Sequence, residues 1–163
     1  MSNFFQKKSI SLRKCQRPTT KLIPDAVLST SYDAALAFAD IVEGKLHSGP
    51  AAENLVVLFL NAQNNLNNYY RIEGTVDHAA VYPREIVSAA LDSNAVSAIM
   101  VHNHPSGQTG FSSQDVSFTR RMVDALKTVD ITLHDSIVVG FLETGGITYS
   151  SMSEQGYMPR PQT

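Results

Sequence analysis

The chain has 163 residues, a mass of 17.8 kDa and 43% apolar residues, which is enough to bury the core of one domain. Its single cysteine excludes an intramolecular disulfide and a multi-cysteine zinc finger. The longest apolar run, Leu55 to Leu60, is far shorter than the roughly 20 residues of a transmembrane helix, and the N-terminus lacks the apolar core of a signal peptide. We therefore expect a cytoplasmic protein without a membrane partner.

The formal net charge of −2 hides an uneven distribution of charge along the chain. Residues 1–21 contain six of the 13 Lys and Arg residues and no acid, whereas residues 22–163 contain the other seven and all 15 acids. We interpret residues 1–29 as a basic, largely irregular leader, residues 30–157 as a single domain and residues 158–163 as a tail. A basic segment can bind phosphate, so nucleic acid is a candidate partner of the leader, and a solvated terminus is the plainer alternative.

The first predicted elements are a helix and a hairpin. Thr30-Ser31-Tyr32-Asp33 has the form of a capping box, and the apolar residues after it recur at helical spacing to about Leu46. The apolar run from Asn54 to Asn61 predicts a buried strand. A short polar turn follows, and residues 67–75 are the predicted antiparallel partner.

Two more helices alternate with strands in the rest of the chain. One is predicted to begin at Pro83, and the other runs from Ser112, a suitable N-cap, to about Thr128. The remaining apolar segments predict strands at residues 95–101, 131–133, 136–142 and 147–149. This order predicts the α/β (α+β) class, with a mixed β-sheet flanked by helices.

The residues with the clearest chemistry lie in His102-Asn103-His104-Pro105-Ser106-Gly107, followed by Ser112 and Asp115. In an extended chain, residues i and i+2 project to the same side, so both imidazoles can meet at one point. The loop after them is long enough to fold back and bring Asp115 there. Two histidines and one aspartate are the ligand count of a catalytic zinc, which keeps its fourth position for water. The plainer alternative is a pair of solvated histidines in a proline turn.

Hydrolysis at such a site also requires a base for the proton of the attacking water. Glu53 is the candidate, because it stands directly before the predicted buried strand, where a carboxylate is unusual unless it faces a site. Ser112 can donate its hydroxyl to an oxygen that becomes negative, although capping the helix competes for the same hydroxyl. A zinc nucleobase deaminase is disfavoured, because its cysteine ligands cannot come from Cys15 alone.

This pattern resembles the JAMM metalloprotease signature of JAB/MPN domains, and most closely the RadC family of bacteria. The resemblance covers about residues 50–152 and also includes Gly74-Thr75, Tyr82-Pro83-Arg84-Glu85, Thr119-Arg120-Arg121 and Ile137-Val138-Val139-Gly140. It implies a JAB/MPN (JAMM) metalloprotease-like fold that binds one zinc ion per chain, with the metal ligands His102, His104 and Asp115. It also implies that Glu53 is the general base and that Ser112 assists.

The activity that the resemblance implies is that of a zinc metallopeptidase or isopeptidase with a peptide or protein substrate, since eukaryotic relatives cleave isopeptide bonds to ubiquitin-like proteins. The family name refers to DNA repair, so the alternative is a nucleic-acid-associated module without peptidase activity. RadC proteins usually have an Asp-His pair before the Ile-Val-Gly strand, whereas this chain has Asp135-Ser136, with His134 one residue earlier. The chain resembles a short RadC-like form without the helix-hairpin-helix region.

Overall fold

The computed structural model describes residues 26–43, 52–74 and 81–162. Its elements are α1 (Ser31–Glu43), β1 (Asn54–Leu60), β2 (Leu66–Glu73), α2 (Pro83–Asp92), β3 (Ser97–Asn103), α3 (Ser113–Lys127), β4 (Thr132–Phe141) and β5 (Ile147–Ser151). The strands form one sheet in the order β2-β1-β3-β4-β5, in which β3 and β4 are parallel and the other neighbours are antiparallel. This arrangement confirms the predicted mixed sheet with flanking helices.

Some sequence-based predictions fall outside these ranges. They are the leader up to residue 25, the end of the first helix at Leu46 and the end of the hairpin at Thr75. The last leader residues are described and contact the hairpin, where the Leu28 N–H donates to the carbonyl of Asn64 at 2.9 Å. Within the described ranges, the structure contains no helix of the length and apolar character needed to span a membrane.

Helices cover both faces of the sheet, which explains the uninterrupted apolar sequence of β1. Successive strand residues point to opposite faces, so a strand buried on both sides needs apolar residues at every position. The side chains of β1 that pack with α2 and α3 are Leu55, Val57 and Phe59. Those that pack with α1 are Val56, Leu58 and Leu60. One hydrophobic core therefore lies on each side of the sheet.

The predicted capping box of α1 is present. The Thr30 Oγ1 atom accepts from the Asp33 N–H at 3.1 Å, and the Thr30 N–H donates to Asp33 Oδ2 at 2.9 Å. These two bonds satisfy N–H groups that the first turn of a helix leaves without an intrahelical acceptor. Pro83 begins α2 as predicted.

The prediction of two separate strands at 131–133 and 136–142 is wrong, because β4 is continuous from Thr132 to Phe141. The polar pair His134-Asp135 interrupts the apolar pattern without breaking the strand. Leu133 pairs with Ala98 and Asp135 pairs with Ile99, so His134 is the extra residue of a β-bulge. The bulge directs His134 to solvent and Asp135 to the interior.

Asp135 is buried among four hydrogen-bond donors. Its Oδ2 accepts from the hydroxyls of Ser31 at 3.0 Å and Ser151 at 2.6 Å. Its Oδ1 accepts from the N–H groups of Ser136 at 2.8 Å and Ser153 at 2.9 Å. The carboxylate therefore ties the start of α1 to β4, β5 and the turn that follows β5.

Replacing Asp135 with Ala should lower the free energy of unfolding by about 3–5 kcal/mol, because four donors in this region lose their acceptor. Urea denaturation measures the loss. The matched control is Asp124→Ala, which removes a single exposed hydrogen bond from the Gln162 N–H and should cost about 0.5 kcal/mol or less. Equal, small losses in the two variants would show that Asp135 does not hold these elements together.

Candidate metal centre

The two histidines of the motif lie at the end of β3. This strand extends two residues beyond the predicted end, because His102 pairs with Leu55 on β1 and with Val138 on β4. His102 is buried and His104 is half-buried, and their Nε2 atoms are 3.1 Å apart. The prediction that both imidazoles meet at one point is confirmed.

Asp115 reaches the imidazoles from the first turn of α3. Ser112 caps this helix: its Oγ accepts from the Asp115 N–H at 3.1 Å, and its own N–H donates to Asp115 Oδ2 at 2.7 Å. The capping box thus fixes the orientation of the carboxylate. Asp115 Oδ1 lies 3.1 Å from His102 Nε2, and Oδ2 lies 3.5 Å from His104 Nε2.

Glu53 approaches the same histidines from the start of β1. A carboxylate oxygen of Glu53 and one ring nitrogen each of His102 and His104 all lie within 4.8 Å of one another. The Glu53 carbonyl accepts from the Gly74 N–H at 3.0 Å, which holds this residue to the end of β2. The two carboxylates that sequence analysis singled out, Asp115 and Glu53, therefore both lie beside the histidine pair.

The spacing of the donor atoms matches a zinc ion. With zinc–ligand distances of about 2.0–2.1 Å, the ligands of a tetrahedral site are about 3.3 Å from one another. The two Nε2 atoms are 3.1 Å apart, His102 Nε2 is 3.1 Å from Asp115 Oδ1, and His104 Nε2 is 3.5 Å from the other carboxylate oxygen, Oδ2, so both oxygens of Asp115 face the histidine pair at distances near this value. Imidazole nitrogen and carboxylate oxygen are also donor types that zinc accepts, so these residues fit the metal.

Comparison with protein families matches residues 31–157 to the RadC-like JAB domain. The chain belongs to this family. Similar relatives are the UPF0758 protein of Cellvibrio japonicus, 45% identical over 109 residues, and that of Saccharophagus degradans, 38% identical over 130 residues. The matches cover 66% and 79% of this chain, and 46% and 55% of the relatives. The chain spans about half the length of the curated relatives it matches.

His134 of this RadC-like JAB domain lies away from the candidate metal centre. It is exposed near the start of β4, whereas His102 is level with Val138 further along that strand. Ser136, where RadC proteins usually have histidine, is buried and accepts from the Thr119 hydroxyl at 3.0 Å. Because Thr119 lies one turn after Asp115, this bond attaches the helix that carries Asp115 to the sheet.

Sequence analysis missed two buried asparagines of the RadC-like JAB domain, Asn54 and Asn103. Asn54 follows Glu53, and Asn103 separates the two histidines. Each is a polar residue at the end of an apolar strand, and this feature of the sequence could have drawn attention to it. The position at a strand end does not distinguish a solvated asparagine from a buried one, and only the tertiary structure shows the hydrogen bonds that satisfy these two side chains.

The loop between His104 and Ser112 crosses β4 at Gly140. A Cβ atom at Gly140 would overlap the carbonyl oxygen of Gly107 and lie 2.9 Å from Thr148 Oγ1. The absence of a side chain therefore lets the loop that joins the histidines to α3 lie on the sheet.

Gly140→Ala should displace this loop, lower the free energy of unfolding by about 1–3 kcal/mol and weaken zinc binding about tenfold or more. Competition with a zinc-sensitive dye and urea denaturation measure the two effects. Gly110→Ala is the matched control, because a Cβ atom there has no neighbour within 4 Å. Wild-type zinc affinity in Gly140→Ala would show that the packing of this loop does not shape the site.

Proposed function

We propose that the chain is a zinc-dependent hydrolase of amide bonds, and specifically a metallopeptidase or isopeptidase. The observation that carries the proposal is the convergence of two imidazole nitrogens and one carboxylate at distances of 3.1–3.5 Å, with a second carboxylate beside them. Three protein ligands with a separate carboxylate are the composition of a hydrolytic zinc site rather than a closed structural one.

The geometry favours different roles for the two carboxylates. Asp115 is almost completely buried and held by the capping box, with its two oxygens at 3.1 and 3.5 Å from the histidine nitrogens, and we assign it as the third ligand beside His102 and His104. Glu53 is half-buried at the start of β1, and we assign it as the general base. A base needs contact with water as well as proximity to the reacting atoms.

A zinc ion in this site would polarise the substrate carbonyl and lower the pKa of a bound water to about 7. Glu53 accepts the proton of the attacking water and donates it to the leaving nitrogen. Ser112 accepts the Asp115 N–H through a lone pair of Oγ, so its own hydroxyl hydrogen can point to the oxygen that becomes negative. Capping and assistance by Ser112 are therefore compatible.

A panel of linear peptides and isopeptide-linked conjugates tests the proposed activity. We expect turnover of at least one class, loss of turnover on dialysis against a chelator, and recovery when one equivalent of zinc is added. Turnover that is unchanged after complete removal of metal would contradict the proposal. Turnover of neither class by the zinc-loaded protein would contradict the assignment as a peptidase or isopeptidase.

The second candidate function is association with nucleic acid, which is supported by the six bases and no acid of residues 1–21. Electrostatic binding to phosphates weakens steeply as the salt concentration rises, because the protein displaces counterions from the nucleic acid when it binds and this displacement is less favourable at high salt. If the leader binds nucleic acid, deleting residues 1–21 abolishes a salt-dependent fluorescence anisotropy signal with labelled DNA. The same deletion leaves zinc binding unchanged. Binding that survives the deletion would contradict this role for the leader.

A further inference from the structure

Two buried asparagines lie beside the metal centre and have no part in the chemistry proposed above. Asn54 directly follows Glu53, and Asn103 lies between His102 and His104. Their residues are 0% and 1% exposed. A buried carboxamide destabilises a protein unless its N–H groups and its oxygen are hydrogen-bonded. The hydrogen-bond partners of these two side chains therefore indicate what the side chains hold in place.

The carboxamide of Asn103 binds the main chain on both sides of Glu53. Its Oδ1 accepts from the Asn54 N–H at 2.9 Å, and its Nδ2 donates to the Ala52 carbonyl at 3.2 Å. The pairing of β1 with β3 ends at Leu55 and His102, one residue before these bonds. The Asn103 side chain therefore continues the connection between the two strands at the residue where main-chain pairing stops.

The side chain of Asn54 also holds the main chain around Glu53. Its Nδ2 donates to the Ala52 carbonyl at 3.0 Å, and its Oδ1 accepts from Arg71 Nε at 3.1 Å. Arg71 Nη1 in turn donates to the Ile41 carbonyl at the end of α1, at 3.1 Å. The main chain around Glu53 is thus connected to α1 through Asn54 and to the histidine segment through Asn103.

We propose that Asn103 is a positioning residue that sets the distance between the Glu53 carboxylate and the metal centre. Its backbone belongs to the segment that carries both histidines, and its side chain holds the two peptide groups that flank Glu53. Loss of the side chain leaves the histidines and Asp115 in place but removes the two hydrogen bonds that tie the main chain around Glu53 to the histidine segment, while the bonds to Gly74 and Asn54 remain. This inference rests on the proposed function, in which Glu53 is the base.

The test compares Asn103→Ala with the matched control Asn61→Ala. Asn61 lies just after the other end of β1, and its Oδ1 accepts from the N–H groups of Gln63 at 2.9 Å and Asn65 at 3.0 Å. Both variants therefore lose two hydrogen bonds between a side chain and the main chain. Only Asn103→Ala should affect Glu53.

We expect both variants to bind one zinc ion with wild-type affinity. On a substrate found with the peptide panel, Asn103→Ala should lower kcat about 100-fold with little change in KM, because a base displaced by about 1 Å loses roughly this factor. Asn61→Ala should keep wild-type kcat. In a Glu53→Gln background, Asn103→Ala should change turnover by less than about threefold, since both substitutions then act on the same step.

A second readout does not depend on turnover. In cobalt-substituted protein, paramagnetic relaxation of the Glu53 side-chain resonances should weaken in Asn103→Ala and remain unchanged in Asn61→Ala. If Asn103→Ala does not fold, Asn103→Ser takes its place, because one hydroxyl oxygen cannot reach both peptide groups.

Wild-type relaxation of Glu53 in the Asn103 variant, or a kcat loss that is fully additive with Glu53→Gln, would overturn the positioning role. Failure of the proposed function gives a different result, because the wild-type protein would then bind no metal or turn over no substrate. Failure of the positioning role is instead seen in an active wild-type protein, as one of the two outcomes just named.

Discussion

Glu53→Gln is expected to lower turnover by about 10²–10⁴-fold while zinc binding is retained, because glutamine keeps the size of the side chain but cannot accept a proton. The structure supports this separation of effects. Glu53 directly precedes β1, whereas the three assigned ligands lie at the end of β3, just after it and in the first turn of α3. Removing its charge therefore leaves the capping box and the histidine pair intact.

The measurement pairs steady-state kinetics with zinc titration. Glu143→Gln is the control, since Glu143 is an exposed glutamate in the turn between β4 and β5 and should keep wild-type kinetics. Glu53→Gln with wild-type kcat would show that Glu53 is not the base. Loss of zinc in this variant would instead indicate that Glu53 is a metal ligand.

Asp115→Ala is expected to weaken zinc binding by more than about 100-fold, because it removes a ligand, whereas changes around a ligand cost 10–100-fold. It should also lower the free energy of unfolding, since the Ser112 N–H loses its acceptor. Asp115 therefore has a ligand role and a capping role, and the two need to be separated.

Ser112→Ala separates them. This variant removes the hydroxyl that accepts the Asp115 N–H, which should cost about 1 kcal/mol of stability, but it keeps the carboxylate. We expect zinc affinity to fall by no more than about tenfold in Ser112→Ala, because the N–H of residue 112 still holds the Asp115 carboxylate, and by more than about 100-fold in Asp115→Ala, both from dye competition. Equal affinities in the two variants would remove Asp115 from the ligand set.

The sequence was sufficient to predict those parts of the fold that depend on local patterns. The capping box at Thr30 and the N-cap at Ser112 are defined by residues three apart, and the apolar run of β1 follows from burial of both sheet faces. The convergence of His102 and His104 follows from the alternation of side chains along an extended strand. Glu53, about 50 residues away in the sequence, was a candidate from its position directly before the predicted buried strand, and the family resemblance implied the same role.

The parts that could not be predicted depend on contacts between distant segments. Asp135 interrupts an apolar pattern, and its burial depends on Ser31, which lies 104 residues earlier and supplies one of four donors. Asn103 likewise depends on Ala52 and Asn54. A polar residue inside an apolar segment indicates either a break in the strand or a satisfied buried group, and only tertiary structure distinguishes these cases.

The most direct test of the metal centre is elemental analysis of purified protein after equilibration with zinc and removal of excess metal. We expect one zinc ion per chain in the wild type and less than about a tenth of this in His104→Ala, which loses a ligand on a half-buried side chain. A wild-type protein without zinc, or a zinc content unchanged in His104→Ala, would contradict the assigned ligand set.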